Sequence, residues 1–179
     1  MIVWINGTFG VGKTTTANAI VEQTDWRTFD PEHVGYLLAG SLRDLEFDDF
    51  QDLPPWRALV PAVADELYRF TRPSAMIAVQ TVLVESYWAE LNESLTARGL
   101  PVLHVVLDCE RAELRRRIEN DQAEREALAW RLDHLATFET ARPWLTRSAD
   151  LVLDTTAMTP NGTAKAIIEV AQEARGATT

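Results

Sequence analysis

Four apolar residues, Ile2-Val3-Trp4-Ile5, run without a polar interruption and stop at Asn6-Gly7. A short, fully apolar run rich in β-branched and aromatic residues, closed by a turn pair, predicts a strand covered on both faces. Comparable runs recur as AMIAV at 75–79, PVLHVVLD at 101–108 and DLVLD at 150–154, with a shorter piece around WRTFD at 26–30. Between them the apolar spacing changes to three and four. Ala17, Ile20 and Val21 place a helix over 13–23, and residues 56–71 carry a second helical pattern with Pro61 as its kink or its start. Trp88, Leu91 and Leu95 mark a helix that Gly99 ends. Residues 110–141 read as one or two charged helices ended by Arg142-Pro143, and Thr159-Pro160 opens a last helix that Gly176 closes.

Asp30-Pro31-Glu32 has the chemistry of a helix start: a capping side chain, a proline suited to the first turn, and a carboxylate at the positive end of the dipole. The segment 41–55 is acidic and irregular and closes on Pro54-Pro55. Strands that are apolar throughout, alternating with helices along the whole chain, predict a parallel sheet with helices on both faces.

Composition narrows the partners. The 179 residues are about one domain in length, and 46% apolar with 25% charged residues is ordinary for a globular protein. Twenty-seven acidic against 17 basic residues leave a net charge of -10, which opposes a nucleic-acid or anionic-lipid partner. One cysteine, Cys109, permits no intramolecular disulfide and fits a reducing compartment. The first residues lack the basic region of a secretory leader, and no run reaches membrane-spanning length. A cytoplasmic protein with no stable membrane insertion is the expectation, and the oligomeric state is left open.

The chemistry is concentrated where the first strand meets the first helix. Gly7-Thr8-Phe9-Gly10-Val11-Gly12-Lys13-Thr14, followed by Thr15, matches G-x-x-x-x-G-K-[ST] without a gap. Glycines let successive N–H groups curl into one concavity, the helix adds its own unpaired amides, Lys13 reaches the β- and γ-phosphates, and the Thr14 hydroxyl meets Mg²⁺. A nucleoside triphosphate, ATP, with Mg²⁺ is the expected cofactor. The chain has no N-K-x-D sequence for guanine, which argues against a switch GTPase. The three histidines, His33, His104 and His134, show no metal-ligand spacing, and His104 reads as a core residue.

The succession IVWINGTFGVGKTTTA, FDPEHVGYLL and DFQDLPPWRAL is similar to the bacterial tunicamycin-resistance protein family, over roughly the first 110 residues. More than the widely shared P-loop, the DPEHVG and DFQDLPPWR segments carry the discrimination. The resemblance implies a P-loop NTPase fold of the nucleoside- and shikimate-kinase-like kind: three layers, α/β/α, with five parallel strands in the order 2-3-1-4-5 and a helical lid. It implies one domain over 1–179, with an acceptor-binding insert at 41–71 and a lid at 115–140. It also implies ATP-dependent protection against tunicamycin, a nucleoside antibiotic, by phosphoryl transfer to the drug. Sequestration of the drug without chemistry and a small-molecule kinase with another acceptor stay open.

Within that frame Asp30, at the end of the second strand, would address the acceptor hydroxyl as general base, or would merely cap the helix at Pro31. Arg57 would bind acceptor or phosphate, or stand solvated on its helix. Trp56 would stack on a ring or fill the core. After the third strand the chain offers Gln80, where many P-loop proteins carry a metal-holding aspartate, so Gln80 is expected to hydrogen-bond acceptor. Arg117 is the first lid arginine expected at the phosphates, with Arg125 or Arg131 as its partner or with none, against the alternative of a solvated face of Glu–Arg pairs. Asp154 and Thr155, after the fifth strand, fall where such folds meet adenine.

Overall fold

The structure is a computed structural model and describes residues 1–122 and 125–176, the side chain of Glu126 excepted. Five strands, β1 (Ile2–Asn6), β2 (Arg27–Phe29), β3 (Met76–Val79), β4 (Val102–Asp108) and β5 (Leu151–Asp154), form one sheet in the order β2-β3-β1-β4-β5. All four pairings are parallel. This is the strand order expected from the sequence.

The uninterrupted apolar character of β1 has a direct cause. Ile2 and Trp4 enter one core and Val3 and Ile5 the other, so both faces of the strand are buried. The helices are α1 (Lys13–Gln23), α2 (Glu32–Ser41), α3 (Pro54–Thr71), α4 (Glu85–Ala97), α5 (Arg111–Asn120), α6 (Leu128–Ser148) and α7 (Pro160–Gly176). On one face lie Val34 of α2, Trp56 and Val60 of α3, Leu91 of α4 and Phe138 and Trp144 of α6. The opposite core takes Ile20 of α1, Leu114 of α5 and Ile167 of α7.

The structure decides between the two readings of Pro61 and corrects that of Pro143. The second apolar helix begins at Pro54, and Pro61 lies inside it, buried against the core, so it does not start the helix. Arg142-Pro143 does not end the charged region: α6 continues to Ser148 with Pro143 in its interior. Proline deletes one N–H there and strains one turn. Phe138, Ala141, Trp144 and Leu145 bury the helix on both sides of it, and the Trp144 indole N–H donates to the Leu83 carbonyl at 3.2 Å. Tertiary packing outweighs the local breaker. The break between the two charged helices falls at Asp121; the part of the expected lid at residues 123–124 lies outside the described residues.

Among the described residues no helix is long and apolar enough to cross a membrane.

Candidate functional site

The C-terminal end of β1 opens the site. Gly7 sits at φ 138° with its Cα so near β4 that an added Cβ would stand 2.5 Å from the Leu107 carbonyl oxygen, a place only glycine can take. The buried Asn6 side chain ties this turn to the loop after β3. Its Oδ1 accepts from the amides of Gly7 (2.8 Å) and Val82 (3.0 Å), and its amide donates to the Val82 carbonyl at 3.0 Å. The Thr81 hydroxyl adds a bond to the Gly7 carbonyl at 2.8 Å. Gly12, at φ 99°, turns the chain into α1, and Thr16 closes the first helical bond to it at 2.9 Å. The amides of the first helical turn have no partner inside the helix.

The loop that Asn6 and Thr81 brace borders a cavity of about 470 Å³. Thr8, Phe9, Gly10, Val11, Gly12, Lys13, Thr14 and Thr15 form one wall, and Arg117, Thr155 and Met158 stand opposite. The Thr8 hydroxyl is buried with no protein partner. Lys13 is half-buried, and its Nζ donates to the carbonyls of Gly7 and Thr8, both at 2.9 Å. Burial pushes its pKa down to about 7, against a smaller opposing pull from Glu32 and a further lowering by Arg131.

A second, larger cavity of about 850 Å³ adjoins the first. It is walled by the start of α2 (Asp30, Glu32, Tyr36), by the segment Phe47–Asp52, by the loop after β3 (Gln80, Thr81, Val84) and by the first turns of α6 (Trp130, Arg131, His134). Phe9, Lys13, Thr14, Asp121 and Arg131 line both cavities. Phe9 is the wall between them: its ring packs on Trp130 (4.8 Å) and His134 (5.6 Å), and the Lys13 ammonium lies 5.6 Å from its centre.

The expected residues divide between these places. Asp30 lines the larger cavity and caps α2 as well, its Oδ1 accepting from the Glu32 amide at 2.9 Å. Gln80 is 5% exposed, lines the same cavity, and has no partner at Oε1. Thr155 is buried in the wall of the smaller cavity, its hydroxyl bonded to the carbonyls of Val11 and Asp108 at 3.0 Å each. Asp154 is exposed and outside the cavity lining; its carboxylate accepts from the Thr156 amide at 2.9 Å.

Arg117 does reach the smaller cavity, but not as a free clamp. It pairs with Glu113 at 2.8 Å and donates to the carbonyls of Gly10 (3.5 Å), Thr155 (2.8 Å) and Thr156 (3.3 Å), stitching the P-loop to the loop after β5. Of the other arginines expected at the phosphates, Arg131 stands where the two cavities meet, 8% exposed and paired with Asp121 at 2.8 Å. Arg125 is exposed and lines neither cavity.

Arg57 lies outside both cavities. It pairs with Glu90 at 2.6 Å, donates to the Gln51 carbonyl and covers the Tyr87 ring at 4.2 Å, so it holds the 47–52 segment from behind. Trp56 is fully buried, and its indole N–H donates to the Pro31 carbonyl at 3.1 Å; it fixes α3 to the start of α2 and offers no ring to a ligand. His104 is a core residue, stacked on Trp88 at 3.9 Å, with burial pushing its pKa down to about 4.

Sequence reasoning missed the aromatic side of the larger cavity: Tyr36, Phe50, Tyr87, Trp130 and His134. Trp130 and His134 are four apart, hence on one helical face, but nothing in the spacing says that this face looks onto Phe9.

Among the described residues no cluster of three or more His, Cys, Asp or Glu side chains could hold a metal by itself. Thr14, at the junction of both cavities, is the hydroxyl suited to Mg²⁺ arriving on the phosphates, and the end of β3 supplies Gln80 in place of a carboxylate. That donor set fits a magnesium ion held mainly by phosphate oxygens and water, the ion's usual preference.

No curated protein sequence matches this chain. Solved structures do resemble it. The tunicamycin resistance protein of Deinococcus radiodurans is 23% identical with a TM-score of 0.69, covering 96% of this chain and 95% of its own. A gluconokinase of Sinorhizobium meliloti is 17% identical at a TM-score of 0.64, over 99% and 97%. The APS kinase of Mycobacterium tuberculosis, in complex with AMPPNP and APS, is 16% identical at 0.61, over 96% of each. These likenesses are of fold: a P-loop, kinase-like sheet in the order 2-3-1-4-5. The sequence itself matches the family described as AAA domain over residues 2–136, well over half its length, and the chain therefore belongs to that family of P-loop domains.

Proposed function

We propose that this protein is an ATP-dependent phosphotransferase that moves the γ-phosphoryl group to a hydroxyl of a small molecule, with tunicamycin or a similar nucleoside-like compound as the acceptor to try first. The observation that carries the reading is the junction: the cavity bordered by the P-loop and a larger cavity share Lys13, Thr14 and Arg131, and Asp30 lines the larger one.

In this reading the P-loop amides and Lys13 hold the β- and γ-phosphates, and Arg131 with Lys13 offsets the charge that spreads over the transferred group. Arg117 and Thr155 shape the nucleoside end. Asp30 orients the acceptor hydroxyl and takes its proton. The acceptor oxygen bonds to the γ-phosphorus as the bond to the bridging oxygen breaks, and the electron pair leaves with ADP. Mg²⁺ bound to the phosphates and Thr14 would supply further charge neutralisation.

A second reading, capture of the compound without transfer, draws on one observation. Arg117 is spent on Glu113 and three carbonyls, so the charge at the junction rests on Lys13 and Arg131. Tunicamycin incubated with protein, ATP and magnesium separates the two by mass spectrometry. A gain of one phosphoryl group supports transfer, and unmodified drug recovered in tight complex supports capture. Drug neither modified nor retained rejects tunicamycin, and ADP release with a panel of nucleosides, sugar acids and aminoglycosides then tests transfer to another acceptor.

A further inference from the structure

The acceptor cavity has a charge pattern that selects among acceptors. Six carboxylates line it, those of Asp30, Glu32, Asp48, Asp49, Asp52 and Asp121. Against them stand two basic side chains, Lys13 and Arg131, and both sit at the junction with the smaller cavity. Asp121 pairs with Arg131. Among the described residues none of the other five carboxylates forms an ion pair; Asp52 accepts from the Tyr87 hydroxyl at 3.0 Å and Glu32 from the Tyr36 hydroxyl at 3.1 Å. Arg57, which could have met an anionic acceptor, faces Glu90 behind the 47–52 segment.

A second observation is independent of these charges. Gln80, 5% exposed in the cavity wall, has an Oε1 with no partner in the protein. A buried acceptor atom without a donor is costly, and a bound molecule can supply one. Aromatic rings, Phe9, Trp130, Tyr36 and Tyr87, give the same cavity surfaces on which a cation or a flat ring can rest. Burial also holds the carboxyl of Asp49 above the usual carboxylate range, with His134 as an opposing neighbour, so part of this wall is shielded from water.

We infer that the larger cavity takes an alcohol bearing a protonated amine, and disfavours sugar acids, nucleotides and other anions. The inference rests on the proposed reading of this cavity as the acceptor site, and deepens it by naming the substrate class. The physical reason is that an anion would enter a site of like charge, beside a bound polyphosphate, with no cation beyond those the phosphates already use.

The test uses the whole chain loaded with magnesium and a non-hydrolysable ATP analogue. Three matched probes are titrated by calorimetry at low and high salt: 5′-amino-5′-deoxyuridine, uridine and uridine 5′-monophosphate. The expected result is at least about tenfold tighter binding of the amine than of the monophosphate, narrowing as salt screens the field. The D48N/D49N double variant, in which asparagine can still accept from the Gln51 amide, should cut the amine's advantage at least about threefold while leaving nucleotide affinity unchanged. Equal or tighter binding of the monophosphate, or no binding of any of the three, overturns the inference. The phosphotransferase reading fails differently: the amine binds with its preference intact, yet ATP and magnesium yield no phosphorylated product from any acceptor.

Discussion

The two cavities on either side of Phe9 are built by opposite means. The smaller one is built mainly from one contiguous stretch, Thr8 to Thr16, folded around glycines and braced from behind by Asn6. The larger one is made of side chains from four separated segments, and its walls are acidic and aromatic. Backbone amides recognise what every nucleoside triphosphate has in common. Side chains on independent segments can be exchanged one at a time, which is how a fold keeps its phosphate chemistry and changes its acceptor.

That contrast is testable from its strongest point downward. Replacing Lys13 with methionine should lower phosphoryl transfer by about a thousandfold, measured as ADP release under saturating acceptor, because it removes one of two cations at the junction. Asp30→Asn should lower transfer by about a hundredfold in single-turnover assays while ATP affinity and thermal stability hold, since asparagine caps a helix as well as aspartate does. Transfer at the wild-type rate would leave Asp30 as a cap alone.

Gly35→Ala should act on one cavity only. An added Cβ would lie 2.6 Å from the Phe50 ring, so the ring must move and the larger cavity must change shape. The expected outcome is about a tenfold rise in acceptor KM with an unchanged nucleotide Kd. A matching loss of nucleotide affinity would show that the two cavities are not separable.

The smallest effect is a proton. Burial holds the Lys13 pKa at about 7, so at pH 8 it is mostly neutral, while bound phosphates would favour its charged form. Nucleotide binding at pH 8 should therefore take up close to one proton, and the uptake should fade as the pH drops below 7 because Lys13 is then already charged. Calorimetry in buffers of different ionisation heat reads this directly, and Lys13→Met should abolish it.

How much of this was legible follows from the same division. Apolar runs suffice for the three central strands, because a strand covered on both faces has to be apolar at nearly every position, as β1 is; the edge strands β2 and β5 are partly exposed, and only their alternation with helices marks them. The phosphate cavity is legible because its parts are consecutive. Arg117 could be placed near it from helical spacing, but its consumption by Glu113 and by the carbonyls of Gly10, Thr155 and Thr156 depends on a tertiary approach that spacing does not encode. Pro143 was read as a terminator because local rules say so, and the burial of Trp144 and Leu145 beyond it overrides them. In the larger cavity Asp30 and Gln80 were accessible as residues that follow strands, whereas Trp130 and His134 are ordinary members of a charged helix until Phe9 is seen against them.

Phe9 belongs to the glycine-rich loop of the smaller cavity, yet its ring also walls the larger one. With the larger cavity as the proposed acceptor site, divergence toward a new acceptor would not remodel that partition without disturbing the loop proposed to seat ATP. It would proceed on the opposite bank, through the acidic 47–52 segment, which lines the larger cavity alone.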